Sequence, residues 1–502
     1  MSDDAWFHNA HENQQAPLLK LPEDVLLNIF IMLRDWDCKP RTAMIRLTHV
    51  CQEWRYIAIA APLLWTRLLS SYHPDWTTAA LQRARMAPIE VELDFLEGDC
   101  VTDLSEALLQ HISHTSKLDM YGSCDHLNKA QELIPTVDAT QLEELMIWCS
   151  SHKREVFEPT RSFVLSPTTF RQTHRLRRLY LYYVDIDFNS PLLQNLTTLD
   201  LAYLSPEAVP IWSKLLEVLR AMPLLEDLRL QHVFTPSDAP AALISSLKPF
   251  WLHSLHSISI ECSTTSQLFV FLTFVLFPRL RYFHLQWNAN DLGPNSTVIF
   301  NSIARAVYAQ QLGGIFETLE VHQRVDSGHL CLRAFSIERS VLTVAVPRSP
   351  VEIGEAHVIT DFIDVLCMPN LTSFKLEVDD EYGHDALLRL ADKLPLLENL
   401  TVGNVTAFNF VDILGMEPLT PQSESLPQTC LPSLETITWI GGGFSGREKW
   451  VDEAAVGILA RRQEHGVGVK SLEFGEVENL SPGLVALFER GVPKVVVRNP
   501  DS

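Results

Sequence analysis

Positive charge is scarce in this chain: 40 lysines and arginines stand against 62 aspartates and glutamates, a net charge of −22. No basic stripe offsets the excess, so neither nucleic acid nor an anionic membrane is expected as a main partner. Cysteine is sparse and scattered. There are nine, an odd number, with no CxxC pair, the usage expected of reduced thiols inside a cell rather than of a disulfide framework. Long apolar runs are missing too. The longest, LFVFLTFVLF (268–277), contains a threonine and is too short to span a bilayer. The opening MSDDAWFHNAHENQQ has no basic region followed by an apolar one. Residues 1–17 are expected to be a disordered tail without a secretory signal, and the location to be cytoplasmic or nuclear. Catalytic signatures are absent as well: there is no GxSxG, no HExxH and no P-loop. No enzymatic activity, cofactor or metal is therefore expected.

What remains is the composition of a globular protein, 46% apolar and 20% charged over 502 residues, enough for a large core. Near the start stands LPEDVLLNIFIML (21–33). Its apolar residues Leu21, Val25, Leu26, Ile29, Phe30 and Leu33 recur every three or four positions, one face of a helix. Pro22 suits the first turn, and Glu23 and Asp24 complement the positive end of the helix dipole. Such a short helix needs something to cover its apolar face. RTAMIRLTHVCQEWRYIAIA (41–60) again has helical spacing, in Ile45, Val50, Trp54, Ile57 and Ala58, and APLLWTRLL (61–69) follows. Residues 18–69 therefore read as a helical unit with little core of its own. Residues 70–87 read as a helical connection, and PIEVELDF (88–95) as the first strand region.

Beyond it a phrase recurs. MPLLEDLRL (222–230) returns as FPRLRYFHL (277–285), MPNLTSFKL (368–376), LPLLENLTV (394–402) and LPSLETITW (431–439). Looser copies without proline begin at 142, 176, 196, 255, 316 and 469. Proline ends a preceding helix, the first leucine closes the turn, and the last two apolar residues alternate with polar ones as in a half-buried strand. PEAVPIWSKLLEVLRA (206–221) and HDALLRLADK (384–393) supply helices ahead of two copies. The unit is helix, proline turn, strand. A widely spaced pair of copies suggests a hidden strand in SVLTVAV (340–346).

This pattern resembles the leucine-rich repeat, LxxLxLxxN, with Leu280, Phe283, Leu285 and Asn288 matching in full. It implies an irregular leucine-rich-repeat-like α/β solenoid over residues 88–498, against the alternative of an ordinary α/β domain. The N-terminal unit resembles the F-box. Leu21, Pro22, Asp24, Val25, Leu26, Ile29, Phe30 and Leu33 fit its first helix, Val50, Cys51, Trp54, Ile57 and Ala58 its continuation, and Pro62, Leu64 and Trp65 its close. Asp24 stands where glutamate is usual, and DCKPRTAM (37–44) lacks the usual start of the second helix. The fold class expected is α/β, a short all-helical F-box followed by the solenoid.

The F-box resemblance implies docking on a Skp-family adaptor, and through it a cullin, by Leu21, Pro22, Val25, Leu26, Ile29, Phe30, Leu33, Val50, Trp54, Leu64 and Trp65. Cys51 reads as packing. The implied function is substrate receptor of a Skp–cullin–F-box ubiquitin ligase. The alternative is a protein-binding scaffold whose F-box-like helices cap the solenoid. The strand residues that alternate with buried ones are expected to line a concave face binding an unknown protein target, above all Arg178, Tyr180, Tyr182, Arg229, Tyr282 and His284. Two other constellations are set aside. GGGFSG (441–446) fits GxGxxG with Gly441, Gly443 and Gly446, but reads as a loop between repeats. His111, His114, Cys124 and His126 crowd together at a spacing that fits no common zinc pattern.

Overall fold

The computed structural model describes residues 21–36, 40–95, 103–134, 138–150, 162–235, 248–287, 296–308, 316–323, 329–336, 341–347, 355–378, 382–403, 406–416, 429–441, 449–475, 477 and 480–498. The expected tail at 1–17, Asn288, and Gly443 and Gly446 lie outside them. The chain is mixed α/β: N-terminal helices lead into a strand-rich remainder. It divides into two compact units, Met1–Val209 and Pro210–Ser502.

The first unit opens with α1 (Glu23–Trp36), α2 (Pro40–Thr48), α3 (Gln52–Ala60) and a 3-10 turn, Pro62–Trp65. The stretch 41–60 breaks at its middle. Cys51 starts α3 as its N-cap, its thiol accepting the Trp54 backbone N–H at 3.4 Å, so it caps a helix as well as packing. Then come β1 (Arg67–Leu69), α4 (Pro74–Ala84) and β2 (Ile89–Asp94). The first strand thus lies inside the expected helical unit rather than at 88–95. Alternating buried and half-buried side chains at 67–69 were too few to show a period. The unit continues with α5 (Asp103–Leu109), β3 (Thr115–Gly122), α6 (Cys124–Leu133), β4 (Glu144–Cys149), β5 (Phe163–Leu165), β6 (Arg178–Tyr182), β7 (Val184–Ile186) and β8 (Thr198–Ala202). Strands β1, β2, β3, β4, β6 and β8 pair side by side, all parallel. β5 and β7 pair separately.

In-register pairing stacks the leucines of the phrase. Leu68, Val91, Leu118, Leu145, Leu179 and Leu199 form one buried row, and Leu93, Met120, Ile147, Leu181 and Leu201 the next. Burying such rows is the main gain of the architecture, on the order of 1.5–3 kcal/mol per side chain.

The second unit contains α7 (Trp212–Arg220), β9 (Asp227–Gln231), β10 (Phe250–Trp251), β11 (Ser257–Cys262), α8 (Thr265–Phe274), β12 (Val275–Leu276), β13 (Tyr282–Trp287), α9 (Ser296–Tyr308), β14 (Phe316–Gln323), β15 (His329–Ser336) and β16 (Val341–Pro347). Then follow α10 (Glu355–Val365), β17 (Ser373–Glu377), α11 (His384–Asp392), β18 (Asn399–Gly403), α12 (Thr406–Ile413), β19 (Thr436–Ile440), α13 (Lys449–Glu464), β20 (Ser471–Gly475), α14 (Pro482–Phe488) and β21 (Lys494–Arg498). Successive helices from α8 to α14 touch one another. The apolar run 268–277 is the buried helix α8 with β12 after it. No helix among the described residues is long and apolar enough to cross a membrane.

The five proline phrases share one construction. In LPLLENLTV, Leu394, Leu397, Leu400 and Val402 are all buried, and the Leu397 N–H closes the turn on the Leu394 carbonyl at 3.2 Å. The strand hidden in 340–346 is β16. One departure is β15, which HLCLRAFS did not announce because His329, Leu330, Cys331 and Leu332 are all buried and no alternation survives. β15 is antiparallel to both β14 and β16, so the spatial order runs β13, β16, β15, β14, β17. The chain overshoots by two places and returns.

Candidate functional site

Helix α1 has two apolar faces. Leu26, Phe30 and Arg34 point inward. The Phe30 ring lies 4.8 Å from that of Trp54. The Arg34 guanidinium donates to the Leu63 carbonyl and to Thr66 Oγ1 at 3.1 Å, tying α1 to the turn that follows α3. Trp65 donates from Nε1 to the Ala58 carbonyl at 2.7 Å, and Arg83 lies 4.2 Å over its ring. The other face looks outward. Pro22, Val25, Met32, Leu33 and Trp36 are exposed and Ile29 half-buried, spaced by three and four residues along one stripe.

Of the eleven residues expected to meet an adaptor, Leu26, Phe30, Leu64 and Trp65 are buried within the unit and offer no surface. That corrects their assignment: a helix of an amphipathic bundle must first spend an apolar face on its neighbours. Pro22, Val25, Leu33 and Val50 are exposed, and Leu21, Ile29 and Trp54 half-exposed. Met32, at 66% exposure, and Trp36, at 89%, complete the stripe and were missed, although their spacing to Ile29 was there to be read.

On the first unit's sheet, side chains facing away from the leucine rows also stack by register. One row is Arg67, Glu90, Lys117, Glu144, Arg178 and Thr198. Lys117 Nζ reaches Glu144 at 2.7 Å and Asp119 at 3.3 Å, and Arg178 Nε reaches Glu144 at 2.6 Å. Burial pulls the Glu144 carboxyl up, but the bonds from Lys117 and Arg178 overcome it and hold it below its ordinary value. The next row is Leu69, Glu92, Asp119, Met146, Tyr180 and Asp200. There burial, helped by Glu144 and Glu92 against Lys117, pushes Asp119 up to about 6. The third row holds Asp94, Tyr121, Trp148, Tyr182 and Ala202. Ring centroids there are 6.5 Å apart for Tyr121 and Trp148, and 5.4 Å for Trp148 and Tyr182. The Tyr182 hydroxyl donates to Asp200 at 2.7 Å. Burial, then the charges of Asp119 and Glu92, raise the Tyr121 hydroxyl.

Arg178, Tyr180 and Tyr182 therefore stand on the outward face, one in each row. Arg178 is committed to Glu144. Tyr121, Trp148, Lys117 and Asp119 were missed, because only strand register brings them beside the tyrosines. In the second unit Arg229 and His284 share one row with Ser259 between them, and Tyr282, 55% exposed, stands in the adjacent row with Asp227 and Ser257.

The histidine and cysteine crowd separates in space. The His111 and His114 rings meet edge to face at 5.0 Å, His126 lies beside Phe95, and Cys124 Sγ is 2.8 Å from Cys149 Sγ. Among the described residues no group of three or more His, Cys, Asp or Glu side chains could hold a metal ion. Gly441 adopts φ +64° at the end of β19, and the rest of GGGFSG lies outside the described residues.

No curated protein matches the chain significantly. Residues 18–71, which hold α1, α2, α3, the 3-10 turn and β1, match the family model described as F-box-like.

Proposed function

We propose that this chain is the substrate receptor of a Skp–cullin–F-box ubiquitin ligase. Its F-box-like helices dock a Skp-family adaptor and, through it, a cullin. Its remaining strands and helices, a leucine-rich-repeat-like solenoid, present an unknown protein target. The observation that carries the reading is the outward stripe of α1, in a segment whose inner face is already satisfied. F-box domains generally bind Skp-type adaptors. Among the described residues Val25, Met32, Leu33 and Trp36 stay exposed and Ile29 half-buried, and at about 1.5–3 kcal/mol each their burial offsets an association cost of roughly 4–15 kcal/mol. The chain performs no chemistry in this reading. It holds a target beside a ubiquitin-conjugating enzyme, and the rate gain comes from proximity. Work in the cytoplasm or nucleus suits this role.

A scaffold reading draws on one observation. β1 follows the helices directly and pairs with β2, as a capping element would. Titration calorimetry of the full chain with a purified Skp-family adaptor separates the two. Tight binding by the wild type, lost in a folded Val25→Asp, Leu33→Asp variant, supports the receptor. No binding by the folded wild type leaves the scaffold.

A further inference from the structure

The outward sheet face of the first unit carries carboxylates that its own fold neutralises only in part. The row from Arg67 to Arg178 alternates in sign, and Glu144 is held from both sides. The next row has no such balance. Register sets Glu92 directly opposite Asp119, like charges facing across a strand pair, which is destabilising. No positive side chain shares that row. Asp119 is only 7% exposed, and among the described residues its Oδ1 meets no hydrogen-bond donor. Its Oδ2 has Lys117 at 3.3 Å, but the shorter Lys117 bond goes to Glu144. A buried carboxylate oxygen without a donor is a standing cost to the fold.

Both carboxylates line an open cavity of about 260 Å³, with Asp35 from α1, Glu90, Arg67 and Lys117 around it. The volume falls below the roughly 300–1,000 Å³ of small-molecule sites, which suits one long side chain rather than a metabolite. One row away stand the aromatic rings, with Trp148 45% exposed. Aromatic faces attract cations, most strongly those of tryptophan.

We infer that this groove and the aromatic row beside it bind a basic peptide, with a lysine or arginine side chain entering between Glu92 and Asp119 and the adjoining peptide lying over Trp148. An entering ammonium or guanidinium brings the donors that Asp119 lacks and the positive charge that its row lacks. The net charge of −22 adds long-range attraction for such a partner. The inference rests on the receptor reading only in making the peptide part of a target to be ubiquitinated.

The test uses the full chain and a short fluorescent peptide alternating glycine with arginine or lysine, against one alternating glycine with glutamate. Adaptor binding is measured on the same samples. The expected result is saturable binding of the basic peptide that persists at physiological ionic strength. A Glu92→Gln, Asp119→Asn variant is expected to weaken it about tenfold or more. An Asp385→Asn, Glu398→Gln variant, with the same loss of charge far along the chain, is expected to bind as the wild type does. Should the double variant fail to fold, Glu92→Lys alone, at a half-exposed position, is expected to abolish binding. Equal weakening in both charge-matched variants overturns the inference. So does adaptor binding without peptide binding, which leaves the receptor reading standing. Peptide binding without adaptor binding overturns the receptor reading and leaves the groove.

Discussion

Truncating Phe30 and truncating Leu33 should injure different properties, although the two residues are neighbours on α1. Phe30 is fully buried, its ring 4.8 Å from that of Trp54. Phe30→Ala removes a core aromatic and leaves a cavity, a loss of about 3–5 kcal/mol. In a small helical unit that is a large part of the whole stability. Leu33 is 45% exposed, so Leu33→Ala should change stability by no more than about 0.5 kcal/mol. If the outward stripe docks an adaptor, the same truncation removes about 1–2 kcal/mol of affinity, roughly a tenfold rise in Kd. Hydrogen exchange of the α1 amides reads the first effect, because it reports local opening rather than global unfolding. Calorimetric titration with the adaptor reads the second. Phe30→Ala should speed α1 exchange by orders of magnitude, and Leu33→Ala should leave it unchanged while weakening binding. Wild-type affinity in Leu33→Ala, Met32→Ala and Trp36→Ala alike would refute the assignment of the outward face. Unchanged exchange in Phe30→Ala would refute that of the inward one.

Asp119, raised from 3.8 to about 6, binds its proton more tightly folded than unfolded, so its contribution to stability is fullest below about pH 4 and is lost as pH rises through about 6. Asp119→Asn should therefore raise thermal stability near pH 7 by on the order of 1–2 kcal/mol and change little near pH 4; a loss at pH 7 would contradict the electrostatics. Arg462, buried at the end of α13, donates to the carbonyls of Cys430 at 2.7 Å, Leu431 at 2.8 Å and Leu414 at 3.3 Å. Arg462→Met should destabilise the second unit by about 2–5 kcal/mol in denaturant unfolding, and a smaller effect would mean that water replaces these bonds. Tyr182→Phe should cost about 1 kcal/mol in the same assay through the lost bond to Asp200, and no change would remove that bond from the balance of stability. Trp148→Ala should weaken binding of the basic peptide severalfold while sparing stability, and equal affinity would remove the ring from the site.

Local spacing already determined much of this protein. Leu179 and Leu181 alternate with Arg178, Tyr180 and Tyr182, and in a strand that decides which side chains face the helices and which face outward. The period of three and four in residues 21–33 likewise settles that a helix forms there, and Pro223 and Pro395 follow directly on the ends of α7 and α11. Periodicity fails where both faces are buried, as in β15, and where an element is as short as β1. It also cannot tell which of two apolar stripes on α1 is spent on the chain itself. Burial of Leu26 and Phe30 against α3 and the 3-10 turn decides that, leaving Met32, Leu33 and Trp36 outside. The opposition of Glu92 to Asp119, the clasp of Lys117 and Arg178 on Glu144, and the row of Tyr121, Trp148 and Tyr182 are further still from the sequence. Each joins residues separated by whole helices and loops, and only the parallel register of strands that meet through a shared leucine core brings them within a few ångströms.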